Sequence, residues 1–270
     1  SDPWLNGRLT ALHACSDIWA CGARVITAQV VITIPALKEN LQQELLTQSL
    51  QGILSALDPQ GAKLIGGHTF EARSSTPLPR SLGIQISLTV NGSLPNGRDP
   101  WEKCGLQLGD ELLLSRPLGS GVLFAASMAG FPCSKELDDA LFKLSASQHL
   151  LLESLLRLQE LRPTDSFVHA CTDITGYGLL GHISEMLSAS NCKRQLNGKE
   201  LLRVSLQADK IPSFRGVKKL FESGYASTLA PANRRAWNIL QPLENGQSKV
   251  QLEPGNIPLD SQSYKAIREL

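Results

Sequence analysis

Apolar residues recur along the chain at two spacings, one helical and one strand-like, and so predict alternating helices and strands. The first predicted helix begins at Pro3, with Asp2 as its N-cap. The later predicted elements, in chain order, are a strand over 24–34, a helix over 37–57, strands over 62–65, 82–90 and 111–114, a helix over 120–129, one long helix over 135–161, a strand over 167–170, a helix from 179, a strand over 199–206, and helices over 212–223, over 231–241 and from 261. Strands that alternate with helices indicate an α/β protein of the α+β type.

The chain is long enough for two domains. A stretch rich in glycine, proline and asparagine begins at Asn91 and is typical of a domain boundary. We therefore expect a first domain over 1–92, a linker over 93–106 and a second domain over 107–270. Both domains are expected to be incomplete, because no strand precedes the first helix and none follows the last.

Charge and composition narrow the range of partners. The net charge is +1 with no block of lysine and arginine, so a nucleic acid partner is not expected. No apolar run is long enough for a transmembrane helix, and no charged-then-apolar leader is present, so no membrane partner is expected. The six cysteines show no paired metal spacing, which indicates free thiols and a cytoplasmic location.

The most informative stretch runs from Cys171 to His182, between a predicted strand and an amphipathic helix. Glycines at the start of a helix leave backbone N–H groups free to bind an anion such as phosphate. Asp173 places a negative charge in the same loop and would repel phosphate unless a cation joins the two. Because Mg²⁺ is the usual cation for such sites, the loop predicts metal-bridged phosphate chemistry.

The same residues allow a second interpretation. Gly176, Gly178 and Gly181 fit the dinucleotide-binding fingerprint, and Glu200 lies near the distance of its ribose-binding acid. In that fingerprint the first glycine directly follows the strand, whereas four residues, 172–175, intervene here. A dinucleotide oxidoreductase therefore stays an alternative, as does a glycine turn that merely begins a helix.

Two other segments carry candidate binding groups. The first helix has a polar stripe that lacks lysine, glutamate and arginine, the usual residues of a solvent face; it consists of Asn6, Thr10, His13 and Asp17. The second segment, Gly66 to Thr69, is predicted to be a glycine loop whose backbone N–H groups could bind phosphate. Asp17 and Asp173 could then meet on one metal cluster, because cations would neutralise their repulsion.

These motifs resemble those of the selenophosphate synthetase (selenide, water dikinase) family, in the superfamily of aminoimidazole ribonucleotide synthetase-like ATP enzymes. The matching stretches, which occur in the family's order, are Gly7-Arg8, Ser16 to Gly22, Gly66 to Thr69, Pro117 to Leu123 and, most specifically, Thr172 to His182. The resemblance implies a two-domain fold of that superfamily. His13 and the Gly-Gly-His-Thr-x-Glu form are similar to a version fused behind a pyridine nucleotide oxidoreductase.

The resemblance also implies roles for individual residues. Asp17 would bind both Mg²⁺ and ATP, Asp173 would be a second Mg²⁺ ligand, and Gly66, Gly67, His68 and Thr69 would contact ATP. The implied reaction converts ATP, selenide and water to selenophosphate, AMP and phosphate, in a homodimer.

The family's reactive cysteine or selenocysteine and its lysine are expected upstream of Ser1, so no catalytic residue is assigned within the chain. A metal-binding aspartate upstream and an Asp-Pro-Gln-Thr-Ser-Gly-Gly stretch after Leu270 are also expected outside it. Arg116 stands where lysine is usual, and Tyr177 where phenylalanine is usual. Cys171 has no adjacent base and is not assigned as a nucleophile. The chain alone is therefore expected not to form selenophosphate, and a non-catalytic nucleotide-binding scaffold stays a further alternative.

Overall fold

The computed structural model describes residues 2–72, 83–95, 97–162, 167–241 and 249–255. The helices are α1 (Pro3–Ala20), α2 (Glu39–Leu57), α3 (Ser120–Met128), α4 (Ser134–Ser145), α5 (His149–Leu161), α6 (Gly178–Leu196), α7 (Val217–Glu222) and α8 (Ala230–Asn233), and the strands are β1 (Arg24–Pro35), β2 (Lys63–Ala72), β3 (Gln85–Ser93), β4 (Val204–Gln207) and β5 (Val250–Glu253). This mixture confirms the predicted α/β class. None of the helices within these ranges is long and apolar enough to span a bilayer.

The chain divides into two compact units, Ser1–Trp101 with Leu144–Phe167 and Glu102–Lys143 with Val168–Leu270. The first unit thus combines the N-terminal segment with α5, which is far from it in sequence. The predicted limits at 92 and 107 stay a prediction.

The first unit is built on a three-stranded sheet in the order β2-β1-β3. The central strand β1 pairs in parallel with β2 and antiparallel with β3. The β1–α2–β2 segment is the helical crossover that a parallel pair requires. One face of β1 is buried with residues from α1, α2 and α5, and its buried residues are Val25, Ala28, Val30, Ile32 and Ile34.

Polar groups inside this unit are paired. The Trp19 indole donates to Gln60 Oε1 at 3.1 Å, and the Gln60 amide donates to the Ala56 carbonyl at 2.9 Å. Arg8 donates to the backbone carbonyls of Ser55 at 2.7 Å and Ser145 at 2.9 Å. These bonds connect α1 to the C-terminal ends of α2 and α4. Asp2 accepts from Leu5 N and precedes Pro3, which confirms the predicted start of α1.

The second unit has a smaller core around α6. Leu180, Ile183 and Leu187 of α6 pack against Val250 of β5 and the partly buried Val204 of β4. Those two strands form a parallel pair. Ser190 of α6 is also buried, and its hydroxyl accepts from the backbone N–H groups of Gly105 at 3.1 Å and Leu106 at 3.2 Å.

Two predicted strands are not strands in the structure, those over 111–114 and 167–170. Leu113 is 89% exposed, so the apolar run does not enter a core. The 167–170 segment continues into a contact with the 102–105 segment, where Cys171 N donates to Glu102 O at 3.0 Å. Isolated hydrogen bonds and side-chain contacts thus replace the expected ladder.

The predicted strand over 199–206 is shorter for a similar reason. Asn191 accepts from Leu202 N at 2.7 Å and donates to Leu202 O at 3.0 Å. A side chain therefore satisfies the backbone that a neighbouring strand would otherwise bind, and pairing begins only at Val204.

Three helix predictions need correction. The single helix over 135–161 is two helices, and the Ser147 hydroxyl accepts from His149 N at 3.4 Å at the start of the second. The 212–223 helix begins only at Val217, because the backbone before it bridges to Leu118 and Gly216 is left-handed. The 231–241 helix is α8 followed by a 3-10 helix over Arg234–Leu240. The helix expected from 261 lies outside the described residues.

The free thiols differ in burial. Cys15 is fully buried, and burial raises the pKa of its thiol to about 11, whereas Cys21 and Cys192 are exposed. At pH 8 the thiolate fraction of Cys15 is then about 100-fold below that of a thiol with the usual pKa. We expect iodoacetamide to label Cys21 and Cys192 at least ~100-fold faster than Cys15, measured by timed peptide mass spectrometry. In denaturant all the cysteines should react alike, and fast native labelling of Cys15 would contradict its burial.

Candidate functional site

Asp17 lies in the last turn of α1 and is exposed. The residues of the predicted polar stripe on α1 do not share one environment. Thr10 donates back to the Asn6 carbonyl at 2.8 Å, while His13 and Asp17 reach solvent. A carboxylate at the C-terminal end of a helix faces the negative end of the helix dipole, at a cost of about 0.3–1 kcal/mol. The position of Asp17 is therefore unfavourable for stability and open for binding.

Residues Gly66 to Thr69 are part of strand β2, so the predicted glycine loop is wrong. They pair in parallel with Gln29 to Ile32 of β1. β2 is the edge strand of the sheet, and its residues from Ile65 to Glu71 are exposed. An edge strand directs alternate N–H groups away from its neighbour, so backbone donors are still presented, but from a strand.

The two glycines of this strand have different surroundings. A Cβ on Gly67 would collide with the carbonyl oxygen of Val30. A Cβ on Gly66 would meet no atom of the described residues within 4 Å. Packing therefore explains the glycine at 67 and leaves the glycine at 66 unexplained within the described residues.

His68 and Thr69 have different neighbours along the strand. His68 pairs with Val31, on the exposed face of β1, and its ring lies edge-on against Phe70 at a centroid distance of 4.5 Å. Thr69 pairs with Ile32, on the buried face. Within this unit α1 packs mainly on α2 and β3, and β2 lies at the opposite edge of the sheet.

Asp173 lies in the second unit, partly exposed, in a segment over 167–177 without helix or strand. Contacts with other segments hold this stretch in place. His169 Nδ1 lies 2.7 Å from Asp110 Oδ1 before Asp173, and Asn233 donates to the Gly176 carbonyl at 2.8 Å after it. Within the segment, Thr172 Oγ1 donates to the Asp173 carbonyl at 3.1 Å.

His182 is a further residue of this region, and sequence reasoning gave it no role. It lies on α6, is 4% exposed, and its Nε2 accepts from Thr175 N at 3.2 Å. Burial lowers the pKa of His182, while the negative charges of Asp173 and Glu185 oppose that shift. The sequence did offer one signal for His182: it lies among the apolar positions of the helix, and that place predicts a buried imidazole.

The donor chemistry of the two aspartates fits Mg²⁺. No group of three or more His, Cys, Asp or Glu side chains that could hold a metal occurs in the described ranges. Mg²⁺ is commonly held by one or two carboxylates together with phosphate oxygens and water, rather than by an all-protein cage. Asp17 of the first unit and Asp173 of the second offer such carboxylates, both reachable from solvent.

The dinucleotide alternative has less structural support. Its fingerprint needs a strand directly before the glycines, and the segment over 167–175 is not a strand. Glu200 is exposed, and its carbonyl accepts from Arg194 at 2.6 Å at the far end of α6.

Comparison with known proteins gives two family matches. Residues 1–94 match the AIR synthase related protein N-terminal domain, and residues 107–222 match the corresponding C-terminal domain. The chain is similar to a selenide, water dikinase of Pelobacter propionicus, with 35% identity over 71% of this chain and 49% of that protein. A protein of the same name from Trichlorobacter lovleyi is 30% identical over 94% of this chain and 69% of its own length. The chain thus spans about half to two thirds of these relatives.

A solved structure of the hydrogenase maturation protein HypE in complex with ATP has the same fold. It superimposes with a TM-score of 0.61 at 17% identity, covering 85% of this chain and 65% of that one. The chain therefore belongs to the AIR synthase related proteins, in the family of the selenide, water dikinases.

Proposed function

We propose that the chain carries the ATP- and Mg²⁺-binding part of a selenophosphate synthetase, which converts ATP, selenide and water to selenophosphate, AMP and phosphate. The similarity to relatives named selenide, water dikinase carries this proposal. The ATP bound to HypE, a protein of the same fold, supports nucleotide binding.

The chemistry of the described residues is consistent with this reaction. Mg²⁺ would neutralise the triphosphate and orient it for in-line attack. Asp17 and Asp173 would supply carboxylate oxygens, and the start of α6, which has no side-chain cap, would favour phosphate oxygens near Asp173. Gly66 would let a ligand approach the backbone of β2 closely, since no atom of the described residues occupies that space.

A homodimer is part of the same proposal. The first unit leaves one face of its sheet and the edge strand β2 exposed, including the apolar side chains Ile26, Val31 and Phe70. Such a face and edge commonly pair with another chain. A fused oxidoreductase domain, by contrast, has only the resemblance of His13 and the Gly66–Glu71 pattern in its favour.

Nucleotide binding should require Mg²⁺ and favour ATP over NAD or NADP, because Asp173 repels an unneutralised phosphate. Calorimetric titration of residues 1–270 with each nucleotide, with and without Mg²⁺, measures this. The Asp173→Asn variant is the matched control and should bind ATP with less dependence on Mg²⁺. Metal-independent binding of NAD that is tighter than binding of ATP would contradict the proposal and favour the oxidoreductase alternative.

Asp17 and Asp173 should each be required for the same Mg²⁺-dependent reaction. In a longer form of the protein that contains the segment expected upstream of Ser1, Asp17→Asn and Asp173→Asn should each lower selenide-dependent ATP turnover at least ~100-fold. The double variant should add little to that loss, as expected for residues that act as a unit. Phosphorus NMR of the products measures turnover.

The folded state should survive both changes. Asp17→Asn should leave the melting temperature unchanged or slightly raised, because it removes a charge from the unfavourable end of α1. Near-parent turnover in either single variant would show that the substituted aspartate is not a metal ligand.

Alanine substitutions at the two neighbouring glycines of β2 should have different effects, one on stability and the other on ATP binding. Gly67→Ala should destabilise the protein by about 1–3 kcal/mol, because the added Cβ meets the Val30 carbonyl. Gly66→Ala should change stability by less than ~0.5 kcal/mol but weaken ATP binding at least ~10-fold. Urea unfolding and calorimetry measure the two effects. Unchanged ATP affinity in Gly66→Ala would exclude close approach of the nucleotide at that position.

A further inference from the structure

We propose that His182 is a positioning residue for Asp173: its Nε2 accepts the Thr175 N–H and holds the 172–177 loop in the form that binds Mg²⁺. The inference rests on the proposed function, since it concerns the same metal site. It assigns a task to a buried side chain that acts through the Thr175 backbone.

The first argument is the irregular backbone around Asp173. Residues 167–177 form no helix or strand, so no ladder of backbone hydrogen bonds fixes the direction of the Asp173 side chain. The Thr175 N–H is two residues from Asp173 and is bound by His182 at 3.2 Å. Gly176 and Gly178 follow at once and would otherwise leave the loop flexible.

The second argument is the rigidity of His182 itself. His182 is 4% exposed on α6, and its sequence neighbours Leu180 and Ile183 are buried as well. A neutral ring that accepts at Nε2 carries its proton at Nδ1. Nδ1 lies 3.9 Å from Glu185 Oε2, and Lys103 Nζ holds that oxygen at 2.7 Å. Burial has the largest effect on the pKa of His182 and lowers it, which favours the neutral acceptor form. The charges that also act on the ring are those of Asp173, Glu185 and Lys103.

The third argument is energetic. Nδ1 of His182 is buried and makes no hydrogen bond to any described residue. An unsatisfied buried polar atom costs about 1–3 kcal/mol, a cost that an apolar side chain at this position would not carry. The hydrogen bond to Thr175 is the gain that offsets this cost, and its effect falls on the loop that carries Asp173.

The test compares three variants of the chain. His182→Gln keeps an acceptor near the position of Nε2, whereas His182→Leu keeps volume and removes the acceptor. Ser190→Ala is the matched control, because Ser190 is also a buried polar residue of α6 that accepts backbone N–H groups, from Gly105 and Leu106. Amide hydrogen exchange at Thr175 and the Mg²⁺ dependence of ATP binding are both measured.

In His182→Leu we expect the Thr175 amide to exchange at least ~10-fold faster, and the Mg²⁺ concentration for half-maximal ATP binding to rise about 10-fold or more. Losses of 10–100-fold in metal affinity are usual when a group that orients a metal ligand is removed. His182→Gln should stay within ~3-fold of the parent in both measurements. Ser190→Ala should lower the melting temperature and leave both near the parent values.

Parent-like exchange and Mg²⁺ dependence in His182→Leu would overturn the inference, as would equal shifts in Ser190→Ala, which would indicate a merely structural role. If His182→Leu does not fold, His182→Asn, whose amide is too short to reach Thr175, takes its place against His182→Gln. If the parent binds ATP without any need for Mg²⁺, the proposed function fails instead, and unchanged Thr175 exchange in the variants would then separately refute the hydrogen-bond role.

Discussion

The first unit depends on the close parallel pairing of β1 with β2. β1 buries one whole face against α1, α2 and α5, so its position is set by the core. β2 can join it only because Gly67 has no side chain where the Val30 carbonyl passes. The same pairing turns the segment from Gly66 to Thr69 into an edge strand, so the groups predicted to contact ATP are presented by a sheet edge. A steric requirement of the fold thus determines how these candidate binding groups face solvent.

In the second unit, side-chain contacts rather than strand pairing hold the candidate binding segment in place. The segment around Asp173 has no ladder of backbone hydrogen bonds, and side chains from distant positions replace it: Asp110 through His169, Asn233 at Gly176, and His182 at Thr175. These contacts come from three different parts of the chain. This arrangement suits the metal role proposed for Asp173, since its loop is held while the residue stays partly exposed.

The sequence predicted the elements that local pattern determines and missed those that distant contacts determine. The start of α1 at Pro3, the extent of β1 and the long helix α2 follow from capping, proline and periodicity. The strand expected over 199–206 is shortened because the Asn191 side chain binds both the N–H and the carbonyl of Leu202. No local sequence signal reveals that pairing. The glycines at 66 and 67 suggested a loop because the Val30 carbonyl beside them cannot be seen in the sequence.

The family motif could be recognised in the sequence because residue types and their spacing are local properties. The geometry of the motif could not, because the positions of its side chains depend on contacts with distant residues. Natural sequences depart from the most stable choice mainly where function requires it, and several residues here do so. Asp17 faces the negative end of a helix dipole, Gly66 has space that no described residue fills, and His182 buries a nitrogen that makes no hydrogen bond to a described residue. Each choice carries a cost or leaves a gain in stability unused, and each residue lies in or beside a segment proposed to meet Mg²⁺ or ATP. Each of these residues is therefore a position where a substitution should separate an effect on binding from an effect on folding.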